Sequence, residues 1–462
     1  MRTQDSPLSL GTDSLSSLLW RYAVPAIIAQ VSSSLYNIID SIFVGQGVGP
    51  MAISGLALTM PVMNLSAAFG AMVGVGSSAL TSIRLGQGNK RAAELILGNV
   101  VLLNVVMGVV FMALGLFFLD DLLYLFGASD DSIPYAREFM RVILIGNVIT
   151  HLYLGLNNQL RVTGYPQKAM HTMLLSVVLN LVLCPLFIFV FKWGIAGSAW
   201  ATVIAQTVAL GWQLHHFSNR QNFLSFRRDS FRFNRDIVRG TLSIGMAPFI
   251  MQCCACVVVI FVNNTMQHYG GDLAIGAYGI VNRVAFLFTM VVMGLNHGMQ
   301  PIVGYNYGAK QYGRVIKVLK YTIICATVVT TIAFLIGYIF PYQVAAAFVD
   351  SSNGVADQAM VEIVAQGLGI AMTVFPLVGF QIVAGGFFQY IGRAPMAMFM
   401  STTRQLLFLL PLLLVLPKQF GAMGAWISMP IADAGAVVVA ALLLFFEIRK
   451  LRRMEHDMHF SR

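Results

Sequence analysis

Residues 23–45 read AVPAIIAQVSSSLYNIIDSIFVG, an apolar run with a proline, Pro25, near its start and one acid, Asp40, toward its end. A stretch of about 20 apolar residues is what one helical crossing of a bilayer requires, and so little charge does not suit a surface helix of a soluble domain. Outward from this run the pattern recurs. Apolar windows bounded by charge, Gly and Pro place spans near 17–44, 52–82, 93–118, 135–158, 169–190 and 195–217. A second six fall near 238–267, 274–300, 315–340, 357–387, 395–416 and 422–447. Several are longer than the hydrocarbon needs, which implies tilt, kinks or ends that protrude into water. Of 462 residues, 57% are hydrophobic and only 10% charged, against about 25% charged in soluble domains. An ordinary soluble enzyme is excluded, and the function concerns what crosses a membrane.

Lys and Arg test the span count, because cytoplasmic loops of membrane proteins carry an excess of them. Counted with the adjoining ends of the spans, the N-terminal tail, the even-numbered connections and the C-terminal tail hold 23 basic residues, whereas the odd-numbered connections and their adjoining ends hold only Arg137, Lys192 and Lys418. Arg141, Arg283 and Arg404 fall deeper within spans. This asymmetry implies a multi-pass membrane protein with both termini cytoplasmic, and the location expected for it is the plasma membrane. The first 19 residues include Asp5, Asp13 and many serines and lack the basic start, apolar stretch and cleavage site of a signal peptide. Cys184, Cys253, Cys254, Cys256 and Cys325 all lie in apolar runs without metal-ligand spacing, so packing roles are expected of them. The basic connection from Arg220 to Arg239 divides the chain at its midpoint. It reads as an orienting linker rather than a site for anionic headgroups.

The halves match at an offset of 220 to 228 residues. Pro25 answers to Pro248, Gly74 to Gly294, Gly88-Asn89-Lys90 to Gly308-Ala309-Lys310, and Gly164 to Gly392, each of the last two shortly before a proline, Pro166 or Pro395. Gly194-Ile195-Ala196-Gly197 answers to Gly421-Ala422-Met423-Gly424. A duplicated six-helix unit with the same topology in each half implies an axis along the membrane normal and a cavity between lobes. The expected fold is an all-α membrane protein with twelve transmembrane helices in two six-helix lobes related by a pseudo-two-fold. Residues 1–218 form the N-lobe, 219–237 the linker and 238–462 the C-lobe.

The string from Pro25 to Gly49, with N-I-I-D-S-I-F-V-G from Asn37 to Gly45, resembles the first span of the multidrug and toxic compound extrusion (MATE) family. Gln300-Pro301-Ile302-Val303-Gly304-Tyr305-Asn306-Tyr307-Gly308-Ala309-Lys310 resembles that family's segment after the eighth span. The likeness runs from residue 15 to 450. Asp40, Asn180 and Thr202 are similar to the DinF-like bacterial branch, which implies a proton or cation site in the N-lobe. That branch commonly has a second aspartate four residues after the asparagine, where this chain has Cys184, so a two-carboxylate relay is not expected. The span-seven glutamate of the NorM-like branch would fall near Cys256, and span ten has no mid-membrane acid; a C-lobe sodium site of that type is not expected either.

An ionised side chain in hydrocarbon is costly and usually faces a polar cavity. Asp40 is the first candidate for the ion or proton site, with Pro25 on the same helix as the hinge. The bland alternative for Asp40 is an interfacial acid solvated by the outer loop. Asn180 and Thr202 offer oxygens suited to a proton or Na⁺, although such residues also join neighbouring helices. In the second half Arg283, Arg404 and Asp433 form a candidate polar cluster, read either as a static ion pair or as a gate or substrate-facing group. Some of the 25 methionines and 32 phenylalanines are expected to line the cavity. Gly86-Gln87-Gly88 is too short for a nucleotide loop and no G-x-x-x-x-G-K-[ST] occurs.

The resulting expectation is not an enzyme but an ion-coupled antiporter, without cofactor, that exports amphipathic organic cations with H⁺ or Na⁺ as the coupling ion. Its partners are those small molecules and membrane lipids, with no nucleic acid, and the protein is expected to be a monomer. Loading Asp40 from outside would neutralise the site, let the first span bend near Pro25 and displace the substrate, with release inside resetting the lobes. The alternatives are a lipid-linked saccharide flippase of related architecture, or a channel or receptor.

Overall fold

The computed structural model describes residues 7–126, 129–348 and 355–460, and among them there is helix and no strand. Asp5 lies outside the described residues. In the first half the spans are α1 (Leu15–Gly47), α2 (Pro50–Gly86), α3 (Lys90–Phe117), α4 (Ile133–Ile145 and Asn147–Val162, bent by 54°), α5 (Pro166–Val190) and α6 (Gly194–Ser218). In the second half they are α7 (Arg235–Gly271), α8 (Leu273–Gly308), α9 (Tyr312–Ile339), α10 (Gln358–Ala371 and Phe375–Tyr390, bent by 56°), α11 (Ala394–Phe420) and α12 (Ala422–Phe460). Each of the twelve expected spans has its helix. Asn89 and Asn234 cap α3 and α7 by accepting from the backbone N–H groups of Ala92, and of Asp236 and Ile237.

The repeat is visible in the irregularities. The fourth span of each half is bent, and the fifth carries a π-helical turn, Leu186–Val190 after Pro185 in α5 and Thr403–Leu409 before Pro411 in α11. Proline withholds an N–H and its ring crowds the preceding turn, which the widened turn before Pro411 accommodates; the one after Pro185 is closed by the Phe191 N–H donating to the Leu186 carbonyl. Gly194 and Gly421 start α6 and α12 with φ of 60° and 59°, a left-handed conformation at an identical place in both halves. One pairing needs correction. α2 and α8 end at Gly86 and Gly308, so Gly86, not Gly88, answers to Gly308. The reason is packing: a Cβ on Gly86 would meet the Tyr305 carbonyl, and one on Gly308 the Ile83 carbonyl.

How the lobes meet follows from where the hydrophobic cores lie. At the end that carries both termini a single core runs through both lobes, with Leu18, Tyr22 and Leu156 packed in the same cluster as Met299, Phe387 and Leu444. At the opposite end there are two separate cores. One contains Val44, Phe139 and Phe187 of the first half, the other Val262, Leu368 and Trp426 of the second. Close approach at the joined end rests on Gly245 of α7 against Met72 of α2, and on Gly294 and Gly298 of α8 against Ile27 and Ala23 of α1. The stripes that make these contacts are exposed at the other end, at Ile38 (54%) on α1 and Ile260 (52%) on α7. A cleft therefore opens between the lobes at the end away from the termini, walled by α1 and α2 on one side and α7 and α8 on the other.

Residues 219–237 do not hang free. Glu94 of α3 pairs with Arg227 (2.9 Å), Arg91 pairs with Asp229, and the Asn99 amide donates to the Arg232 carbonyl (3.1 Å) and accepts from the Asn234 N–H (3.1 Å). The linker is thereby docked on α3.

Candidate functional site

Asp40 sits two turns before the end of α1 and points into the first lobe, away from the cleft, with 7% of its surface exposed. Its carboxylate accepts from two neutral donors, the Cys184 thiol of α5 at 2.9 Å on Oδ1 and the Ser198 hydroxyl of α6 at 2.7 Å on Oδ2. Residues four apart on a helix share a face, and on all three helices the next such residue is polar. Tyr36, Asn180 and Thr202 meet there, with the Asn180 amide donating to Thr202 Oγ1 (2.9 Å) and the Tyr36 hydroxyl 3.1 Å from the same oxygen. Asn180 Oδ1 is buried and has no hydrogen-bond partner among the described residues.

The file continues toward the joined end. Ser176 and Thr172 follow on the same face of α5, where Ser176 is hydrogen-bonded to Tyr153 of α4. Thr172 Oγ1 accepts from the amides of Asn157 (3.0 Å) and Gln213 (3.3 Å). A chain of buried polar side chains thus runs from Asp40 through the interior of the first lobe.

Sequence reasoning placed Asp40, Asn180 and Thr202 together, and the structure brings them into two adjacent layers of one site. Tyr36 and Ser198 were missed; their spacing of four from Asp40 and Thr202 was the available signal. Cys184 departs from the packing role expected of the cysteines, because its thiol binds Asp40. All five cysteines are free thiols.

Among the described residues no basic side chain pairs with Asp40. A carboxylate held by two neutral donors fits a proton as its ligand, since protonation needs no further coordination. Na⁺ takes several hard oxygen ligands. Asp40, Ser198, Asn180 and Thr202 supply some, while the Cys184 sulfur is a soft atom in the shell. No cluster of three His, Cys, Asp or Glu side chains that would hold another metal occurs among the described residues.

The second lobe is arranged differently. Arg404, in the π-helical turn of α11, donates to Asp433 of α12, and their side chains are 38% and 6% exposed. Arg283 does not join them: it is exposed on α8 and, among the described residues, has no ion pair. The three-residue cluster expected from the sequence is a pair and a solitary cation, because the α8 face bearing Arg283 is the one that faces α1. Pro25 lies within a continuous α1.

An all-helical, twelve-span protein of two lobes, with a buried acid in one lobe and a cleft between them, is a multi-pass membrane protein of transporter architecture. The MatE family model matches residues 25–186 and 247–415, and the chain belongs to that family. It is 25% identical over 427 residues to the multidrug export protein MepA of Staphylococcus aureus (strain MRSA252), covering 92% of this chain and 93% of that one. Among solved structures it is similar to a MATE in complex with MaL6, with a TM-score of 0.90, 24% identity and coverage of 96% and 99%. It is also similar to an outward-facing multidrug resistance MATE family transporter of the MOP superfamily, with a TM-score of 0.90, 25% identity and coverage of 96% and 98%.

Proposed function

We propose that this protein exports amphipathic organic compounds, cations among them, from the cytoplasm by ion-coupled antiport, with the termini cytoplasmic and the cleft open to the outside. The observation that carries the reading is Asp40, an acid buried in one lobe with no basic partner among the described residues, in a chain whose relatives include multidrug export proteins. We take the coupling ion to be a proton, because a thiol stands where an oxygen ligand for Na⁺ would be needed. A proton arriving from the outer end of the first lobe neutralises Asp40 and weakens the hold of Cys184 and Ser198 on it. Rearrangement of α1 about Pro25 then changes the cleft wall and releases the substrate. The polar file from Asn180 to Thr172 gives the proton a route of hydrogen-bonding groups toward the cytoplasmic end, and its release there resets the lobes.

The test is export of a fluorescent cation from proteoliposomes under separately imposed gradients. A proton gradient alone is expected to drive it. Drive by Na⁺ alone moves the assignment to Na⁺, and no dependence on either gradient refutes ion coupling.

A further inference from the structure

Of Arg283, Arg404 and Asp433, the last two compensate each other and the first has no ion pair among the described residues. The register of α8 on α1 fixes where Arg283 lies. These helices are antiparallel and pair as Ala23 with Gly298, Ile27 with Gly294 and Gln30 with Met290. Arg283 is seven residues before Met290, hence on the same face of α8 and about 10 Å further into the cleft. It is also ten residues from the start of α8 at Leu273, about 15 Å by helical rise, which is too deep for the guanidinium to reach bulk water along a lipid-facing surface without cost. On the cleft face it is exposed. Beside it Phe286 and Leu287 are exposed on α8, and across the cleft, at the level of α1 that this register sets opposite Arg283, Ile38 and the polar Asn37 are exposed, the Asn37 amide donating to the Ser33 carbonyl of its own helix. Asp40 does not neutralise it, since that carboxylate is turned into its own lobe toward Cys184 and Ser198.

A guanidinium exposed in the cleft wall, with no acid partner among the described residues, is a receptor for an anionic group on an amphipathic molecule, because its planar fork binds a carboxylate through two parallel hydrogen bonds. We infer that Arg283 is the residue of the cleft that recognises the acid group of amphipathic substrates bearing a carboxylate. This deepens the export function proposed above and rests on it.

The test compares rhodamine B with its ethyl ester, a matched pair in which only the carboxylate is masked. Binding is read by fluorescence anisotropy on purified full-length protein in phosphatidylcholine nanodiscs. The wild type is expected to favour the acid, and R283Q to lower the acid-to-ester affinity ratio about tenfold, the scale of one hydrogen bond to a charged group. R283K, which keeps the charge and loses the fork, falls between them. An unchanged ratio in R283Q overturns the inference. So does disappearance of the wild-type preference when phosphatidylglycerol is added, because the arginine would then serve a lipid phosphate. Binding needs no gradient. Failure of gradient-driven export with the acid preference intact therefore counts against the proposed coupling and not against Arg283.

Discussion

Asp40 and Cys184 show how one substitution shapes a site. A second acid at 184 would face Asp40 across a short hydrogen bond, whereas the thiol leaves a single carboxylate to carry the charge switch. Asp40→Asn is expected to insert and fold but lose gradient-driven export, since an amide cannot gain or lose charge; equal export by mutant and wild type at matched membrane levels would sink the role of Asp40. Cys184→Asp places a second oxygen donor 2.9 Å from Oδ1 and is expected to fold and to bind the coupling ion more tightly, read as the ion concentration at half-maximal export. Loss of expression would instead mean that the site tolerates no second carboxylate. Both outcomes were partly legible from sequence, because Asp40 and the residue types at 180, 184 and 202 can be read along the helices. Ser198 and Tyr36 were not, since a hydroxyl in a membrane helix more often bonds its own backbone, and only the packing of α6 and α1 decides otherwise.

Helices carry the conformational argument. Gly298 of α8 lies so close to the Ala23 backbone of α1 that a side chain has no room. Gly298→Val is expected to weaken closure at the end bearing the termini and shift the population toward the state open there, seen as a shorter distance between spin labels on α1 and α8 at the cleft mouth. An unchanged distance would show that this contact does not set the closed state. In the second lobe, Arg404 and Asp433 tie α11 to α12 with unequal burial. Arg404→Ala strands an acid that is 6% exposed, and Asp433→Ala strands a guanidinium that is 38% exposed. The first is therefore expected to be the more destabilising, by about 1–3 kcal/mol, the cost of an unpaired buried polar group. The double mutant should recover part of that loss. Melting temperatures in detergent for both singles and the double decide it, and additive losses would refute a structural pair.

Closure of the whole molecule also draws on the segment before α1. Asn306 donates to the Leu10 carbonyl (2.9 Å), and Arg314 donates to the carbonyls of Leu10 (3.1 Å) and Asp13 (2.7 Å). The chain leading into the first lobe is thus fastened to the second at the joined end. At about 1 kcal/mol per hydrogen bond, replacing Asn306 and Arg314 together by Ala is expected to raise the fraction of molecules open at that end. Labelling of a single cysteine introduced at Ala23 by a membrane-impermeant thiol reagent applied from the cytoplasmic side should become faster. Unchanged labelling would leave the glycine contacts as the sole closure.

The sequence by itself determined the all-helical class, the twelve spans and the duplication, because hydrocarbon demands long apolar runs and a repeated unit repeats its glycines and prolines. It also marked Asp40, since an acid in such a run is rare and expensive. The tertiary structure alone decided which neighbours that acid has, which of Arg283 and Arg404 is neutralised, and at which end the lobes separate. Those depend on the rotation and register of one helix against another, set by contacts between residues up to some 300 positions apart, of which the apolar periodicity of a single helix carries no record.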